Sequence, residues 1–402
     1  MSLRAVELFG GAGGLAIGTH NAGFKNEMFV EWDRWACDTV RENARAGHPA
    51  VKDWVVKEGD IRGVDFSGIS DGLDLVAGGP PCQPFSMGGK ARASADNRDM
   101  FPAAAEVIRQ LRPRAFLLEN VKGLKRAAFA NYFEFIRLRM QFPELVAKVD
   151  ETWLEHLARL QKHLTSSSPS GLSYKVSDTL VNAADYGVPQ HRHRVFIVGF
   201  REDVDAEWAF PKPTHSQDAL LYAKWVSGSY WEEHRVAKKD RPELDPRSQR
   251  RIDRLKSGDI EISGTRWQTV RDALRGLPEP TLNGGTRWKN HKLQTGARSY
   301  PGHTGSPLDD PSKTLKAGAH GVPGGENMLR HVDGTVRYYS IREAARIQTF
   351  PDDYELHGSW GEAMRQLGNA VPIQLAQKVA ASVAEHLNEA SAKIGSELRA
   401  VS

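Results

Sequence analysis

The chain has 402 residues, 40% hydrophobic and 26% charged, with a formal net charge of +4 at neutral pH; this length predicts two domains, or one domain with a large insertion. No run of about 20 apolar residues is available to span a bilayer, and two cysteines are too few for a disulfide framework or a four-ligand zinc site. The small positive charge suits nucleic acid but equally suits a solvated surface of mixed sign.

The opening residues, "MSLRAVELFGG", run directly into a strand with no basic-then-apolar leader, so a cytoplasmic protein is expected. "RAVELFGGAGGLAIGTHNAGF" (4–24) reads as a short strand, a glycine loop and a helix. Gly10, Gly11, Gly13 and Gly14 clear side chains from the loop, which lets a ligand approach backbone at the positive end of a helix. Tight packing alone would use the same residues. "NEMFVEWDRWACDTVRENA" (26–44) repeats the plan, with a strand to Val30, an acid at Glu31 and an amphipathic helix. Doubly wound folds place an acid about 20 residues after such a loop to meet ribose hydroxyls; capping the helix that starts near Asp33 is the other reading of Glu31. "EGDI" (58–61) sets Asp60 at a further strand end, where a carboxylate can accept from an adenine amino group. A dinucleotide would usually bring GxGxxG. The shorter pattern here fits a mononucleoside such as S-adenosylmethionine better.

"LDLVAGGPPCQPFS" (73–86) is a third strand running into a loop. Pro80, Pro81 and Pro84 fix φ and stiffen the backbone that aims Cys82. A thiol of pKa about 8.5 is little ionised at neutral pH, yet its thiolate is a strong nucleophile, so placement counts for more than abundance. A buried structural cysteine is the alternative. It suits Cys37, inside an apolar helix face, whereas Cys82 stands at a strand's carboxyl end. "MFPAAAEVIRQL" (100–111) is helical, and "RPRAFLLENVKGL" (112–124) is a fourth strand closed by Glu119. A carboxylic acid at that edge can donate a proton to a substrate if desolvation raises its pKa; a structural acid paired with Arg is the alternative.

Residues 125–175 are mostly helical and charged, end in "TSSSPSG" (165–171), and read as an elaboration on the sheet domain. In "YGVPQHRHRVFIVGF" (186–200), Gln190, Arg192 and Arg194 alternate into a strand, which puts both arginines on one face and His191 and His193 on the other. Two guanidiniums on one face suit phosphate or carboxylate recognition. The histidines have no third ligand nearby in the sequence, so no metal is expected.

After about residue 205 the strand–helix alternation fades, and 281–300 carries Arg287, Lys289, Lys292 and Arg298 without an acid. Alternation returns in "REAARIQTFP" (342–351) and the long helix of "GNAVPIQLAQKVAASVAEHL" (368–387). The expectation is an α/β domain with a parallel sheet covered on both faces, formed by 1–205 plus 335–402, with a second domain at 206–334.

"LFGGAGGL", "EWD", "GDI", "GGPPCQPFS", "ENVKGL", "YGVPQHRHR", "SIREAARIQTFP" and "QLGNAVP" occur in this order. In this set and order the chain resembles the bacterial type of DNA (cytosine-5)-methyltransferase. The resemblance implies a Rossmann-like S-adenosylmethionine-dependent sheet domain and a smaller target-recognition domain. It implies that Cys82 attacks carbon 6 of a flipped-out cytosine, that Glu119 protonates or hydrogen-bonds ring nitrogen 3, and that Arg194 and Arg192 orient Glu119 and the base's carbonyl. Phe9, Gly10, Ala12, Gly14, Glu31, Trp32, Asp60, Ile61, Pro80, Phe101, Asn369 and Val371 would surround S-adenosyl-L-methionine, which leaves as S-adenosyl-L-homocysteine. "GARSYPGHTGSPLDDPSKTLKAGAHGVPGG" (296–325) resembles the two recognition loops and the segment joining them, with Thr314 and Leu315 as the short element before the second loop. Ser86, Arg298, His303, Thr314, Lys316 and His320 are the candidates for contact with double-stranded DNA.

The setting implied is the modification half of a restriction–modification system: a monomer, off the membrane, beside a cognate endonuclease with no stable complex. Glu7 stands where the family often has Asp, and Gly10 where Ala is common. Three rivals remain at this level. An RNA cytosine methyltransferase would have a shorter recognition region. A silent DNA-binding regulator would lack Cys82 or Glu119. An NAD dehydrogenase leaves the Pro-Pro-Cys loop unexplained.

Overall fold

One large sheet is formed by the strands β1 (Leu3–Leu8), β2 (Phe24–Glu31), β3 (Val56–Glu58), β4 (Leu75–Gly78), β5 (Ala115–Val121), β6 (Tyr174–Asn182) and β7 (His193–Arg201). Apolar runs form β1, β4, β5 and β7, whereas β3 and β6 are more polar. The computed structural model describes residues 2–81, 99–166, 171–285, 287–317 and 327–401. Cys82, Ser86 and His320 of the predicted site lie outside the described residues. Among the described residues the sheet order is β3-β2-β1-β4-β5-β7-β6. The pairings β2–β3, β1–β2, β1–β4 and β4–β5 are parallel, and β5–β7 is antiparallel.

β4 is buried throughout, as befits a central strand covered on both faces. One face carries alternate residues of successive strands: Val6 and Leu8, Met28 and Val30, Val76, Phe116 and Leu118, Val195 and Ile197. They pack with Ala104, Ala105 and Ile108 of a helix at Phe101–Leu111 and with residues of two helices from the 125–175 segment, at Ala130–Gln141 and Trp153–Leu164. The chain runs outward from β1 through β2 to β3, and β4 then starts on β1's other side. The order therefore reverses between β1 and β4, and ligands of open α/β sheets bind at the carboxyl ends of strands at such a point.

Two helices follow the first two strands, α1 (Gly14–Asn21) and α2 (Arg34–Arg45). Asp33 caps α2 by accepting from Ala36 N at 3.0 Å, so Glu31 is not the residue that caps it.

The chain divides into two compact units, one of 1–181, 193–211 and 376–402, the other of 182–192 and 212–375. The second unit thus takes 335–375 and 182–192, which the sequence reading gives to the sheet domain. Hydrogen bonds explain the first of these. Arg342 Nε donates to Lys289 O, His291 Nδ1 bonds Ser340 Oγ, and Asn290 Nδ2 donates to Leu356 O. These ties hold 339–356 to the middle of the second unit. That unit also has a small sheet of Ser306–Pro307, Met328–Arg330 and Val336–Tyr338. Its apolar centre includes Leu220, Tyr230, Trp231 and Val236. Among the described residues, no helix is long and apolar enough to cross a membrane.

Candidate active site

Strand register collects the first unit's candidates on one edge. Val30, Leu8, Gly78 and Leu118 lie side by side across four parallel strands, and Leu118 faces Ile197 of β7. The next residue of each parallel strand, Glu31, Phe9, Gly79 and Glu119, therefore lines the carboxyl edge. The antiparallel β7 brings Arg194 there, opposite Val121.

The loop after β1 is built from unusual backbone. Phe9 has φ 54°, Gly11 54° and Gly13 88°. Positive φ is ordinary for glycine but costs a bulky side chain of order 1–3 kcal/mol, and such strain clusters at ligand sites. An added Cβ on Gly11 would meet nothing within 4 Å, so open space lies over the loop. At Gly10 the same Cβ would overlap Cε2 and Cζ of the Phe29 ring, which is fully buried and stacked 5.4 Å from Trp54. That ring leaves no room for a side chain at position 10.

Glu31 is 7% exposed and ties the loop to the start of α2. Its carboxylate accepts from Gly11 N at 2.8 Å, Trp32 N at 2.9 Å and Asp33 N at 2.8 Å. Burial pushes its pKa up, and the three N–H donors oppose that shift without cancelling it. Three bonds leave about one of four acceptor positions vacant. Trp32 beside it is 76% exposed and presents a flat aromatic face. Asp60 is gripped by Arg62, whose Nε donates to Oδ1 at 2.9 Å, and this bond holds the carboxyl down at about 2. Ala12, Gly14, Ile61, Pro80 and Phe101 are buried around this edge, with Phe101 and Ile61 inside the apolar core.

Glu119 forms a buried ion pair with Arg194, Nε to Oε1 at 2.6 Å. Burial lowers the Arg194 pKa and Glu119 opposes the fall. Gly79 leaves Glu119 room: a Cβ there would stand 3.3 Å from Glu119 Oε2. Asn120 is a residue the sequence reasoning missed. Its Nδ2 donates to Pro80 O at 2.8 Å and its Oδ1 accepts from Val121 N at 2.8 Å, so it fixes the backbone just before Cys82. The signal was available, because Asn120 is the middle residue of the Glu-Asn-Val run. Pro81 O also accepts from Met100 N at 3.1 Å, which fastens the two ends of the 82–98 stretch together.

The remaining candidates belong to the second unit. Arg192 is fully buried and donates Nη1 to Leu315 O at 3.2 Å, and Nη2 to Gly368 O at 2.7 Å and Ala370 O at 2.8 Å. Asn369 is exposed and Val371 is 5% exposed. Arg298 and Lys316 are exposed. The His303 and Tyr300 rings meet tilted, their centroids 4.4 Å apart, across a tight turn. Thr314 Oγ1 donates to His191 O at 2.5 Å, so its hydroxyl serves the fold. Among the described residues, Glu233, His234 and Asp272 bring ligand atoms within 4.8 Å of one another. Arg266 already binds both carboxylates, at 2.7 Å and 2.9 Å, which makes the group an ion-pair network.

Comparison with known proteins matches this chain to one family. The model of the C-5 cytosine-specific DNA methylases covers residues 3–142 and 156–385. The type II methyltransferase M.PspPI of Psychrobacter sp. is 32% identical over 97% of this chain and 80% of its own length. M.NgoMIV of Neisseria gonorrhoeae is 29% identical over 97% of this chain and 99% of its own. In fold, the chain is similar to a putative DNA modification methyltransferase encoded within a prophage of E. coli, with TM-score 0.58 and 19% identity over 96% of this chain and 100% of that one. It is also similar to the S. pombe Dnmt2 methyltransferase, with TM-score 0.54 and 17% identity over 96% and 99%.

Proposed function

The chain belongs to the C-5 cytosine-specific DNA methylase family and is a DNA cytosine-5 methyltransferase, and we propose that it works through a covalent Cys82 adduct on a cytosine flipped out of a short duplex sequence. The observation that carries this reading is the buried Glu119–Arg194 pair on the edge that also holds the glycine loop. With strands about 4.8 Å apart, the two-strand step from β1 to β5 separates them by about 10 Å. That span accommodates a cofactor's reactive end and a base.

The loop fits S-adenosyl-L-methionine. The open backbone over Gly11, the remaining acceptor position of Glu31 for a ribose hydroxyl, the exposed Trp32 face and the ionised Asp60 for an adenine amino group are its complement. Asn369 and Val371 of the second unit are cofactor-contacting residues by the same family resemblance. When bound, S-adenosyl-L-methionine supplies an electrophilic methyl group that carbon 5 accepts.

The protein's own groups do the rest. Extrusion of the cytosine costs a few kcal/mol of lost stacking and pairing. The Cys82 thiolate adds to carbon 6, forming a C–S bond and pushing the ring's π electrons toward carbon 5. Glu119 must carry a proton when it meets the base. It donates that proton to nitrogen 3, so negative charge does not accumulate on the base, takes it back when the adduct breaks down, and is held in place by Arg194. After methylation the carbon-5 proton leaves to a base. The C–S electrons return to the thiolate, the ring double bond re-forms, and Cys82 is free for another turn. Asn120, through Pro80 O, keeps the loop aimed.

The second unit supplies recognition of double-stranded DNA, through the 296–325 segment. The protein acts as a monomer in the cytoplasm, as the modification half of a restriction–modification system. The test is bisulfite sequencing of DNA from cells that lack cytosine methylation and express this protein. One short motif methylated near completion is expected, and none with a Cys82→Ser variant that still binds cofactor. An unmethylated genome beside soluble, cofactor-binding protein would overturn the reading.

A further inference from the structure

Two segments of the second unit, 189–192 and 312–316, meet at one residue, Leu315. Gln190 Oε1 accepts from Leu315 N at 3.0 Å, and Arg192 Nη1 donates to Leu315 O at 3.2 Å. Both backbone groups of Leu315 are thus held by side chains two residues apart. Neighbouring bonds repeat the grip. Pro189 O accepts from Ser312 N at 2.9 Å, Ser312 O accepts from His191 N at 2.8 Å, and Thr314 Oγ1 donates to His191 O. Asn327 clamps Lys316 in the same manner, accepting from its N and donating to its O, each at 3.0 Å.

The same two side chains reach the Gly-Asn-Ala run. Arg192 Nη2 binds the carbonyls of Gly368 and Ala370. Gln190 Nε2 donates to Gln348 Oε1 at 3.0 Å, and Gln348 Nε2 donates onward to Leu367 O and, at 3.2 Å, to Ala370 O. The pinned carbonyls flank Asn369 and leave its side chain exposed. Packing closes the junction from the other side. A Cβ on Gly368 would stand 2.6 Å from Ala317 Cα and closer still to other backbone atoms of Lys316 and Ala317. Backbone there has no flexible end to move aside.

We propose that Arg192 is a positioning residue that locks the DNA-recognition segment at Leu315 to the cofactor segment at Asn369, so that DNA and cofactor each raise the other's affinity through this guanidinium. The proposal rests on the functional reading above for what the two segments bind. The physical route is shared ordering. A ligand that fixes one segment fixes the other through three charge-assisted bonds, and the second ligand then has less to order. Coupling of this kind is reciprocal in binding free energy.

The experiment uses the full chain, S-adenosyl-L-homocysteine as probe, and a duplex carrying the motif that bisulfite sequencing identifies. Calorimetry gives the probe's dissociation constant with and without duplex. The wild-type ratio is expected in the range usual for linked sites, about 5–150-fold. Arg192→Met is expected to bring the ratio to about one while the probe still binds. Arg192→Lys, which keeps a charge but loses the fork, is expected to fall between. Gly368→Ala attacks the junction from its other face, should also shrink the ratio, and decides the matter if Arg192→Met does not fold. A wild-type ratio of one, or an unchanged ratio in Arg192→Met and Gly368→Ala, would overturn the proposal while leaving the methyltransferase reading intact. Absence of methylation by the wild type would instead defeat that reading.

Discussion

Replacing Glu119 by Gln removes a charge and keeps the shape. The Glu119 and Arg194 side chains are 9% and 11% exposed and meet at 2.6 Å, and burial already works against the arginine's charge. Removing one member of such a pair leaves a buried charge uncompensated, at a cost of about 3–5 kcal/mol. One kcal/mol moves the melting temperature of a 150–250-residue domain by about 2–4 °C, so a drop on the order of 10 °C is expected. Lost activity alone would then not separate catalysis from unfolding. The double variant Glu119→Leu/Arg194→Met does, because replacing a buried ion pair by well-packed apolar groups of similar volume is often neutral for stability. It still lacks the acid at nitrogen 3, a group worth about 10²–10⁴ in rate. Scanning calorimetry and single-turnover methylation should show the single variant low in both measures. The double variant should melt near the wild type and turn over at least about 100-fold more slowly. Turnover that returns together with stability would make Glu119 a structural acid and refute the assignment.

Glu7 makes the pH prediction. It is 1% exposed, and neither carboxyl oxygen has a hydrogen-bond partner among the described residues, so burial pushes its pKa well above the carboxylate range. The folded chain then binds a proton that the unfolded chain releases above about pH 4.5, and stability falls as pH rises from there toward the folded pKa, by up to about 1.4 kcal/mol per pH unit. Thermal melts from pH 5 to 7 should show a shallower decline for Glu7→Gln than for the wild type; parallel curves would contradict the buried, protonated acid. Gly10→Ala should cost about 1–3 kcal/mol by overpacking against Phe29. Gly10→Ala/Phe29→Leu should recover most of that loss, and a single variant as stable as the wild type would show that the ring has room to move.

The sheet edge was legible because the buried parallel strands β1, β4 and β5 read as apolar runs with a glycine or an acid at or near their carboxyl ends, at Gly10, Gly78 and Glu119. Glu31 shows the limit of that reading. Ribose acceptor and helix cap were weighed as rivals, yet the cap belongs to Asp33 and the carboxylate holds Gly11 as well as the start of α2. The positive φ of Phe9 was not legible, since no side-chain pattern marks strain at a bulky residue. The second unit resisted for another reason. Its described strands are two or three residues long, too short to show a period, and long-range ion pairs such as Arg271–Asp309 and Lys224–Asp310 tie it together.

The two arginines of the Gln-x-Arg-x-Arg run show where periodicity stops being informative. Alternation assigned them to one face, but β7 begins only at His193. Arg192 lies in the irregular segment before it, its N donating to Asn182 Oδ1 at 3.1 Å and its O accepting from Ala183 N at 2.9 Å. Their tasks demand arginine for different reasons. At 192 three carbonyls must be served from one side chain, which the planar fork does at fixed angles and a lysine's flexible point charge does not. At 194 a positive charge must persist in a buried place beside Glu119. Burial lowers a lysine's pKa by up to 3–5 units, far enough to lose its proton near neutral pH, whereas a guanidinium starts above 12 and keeps it.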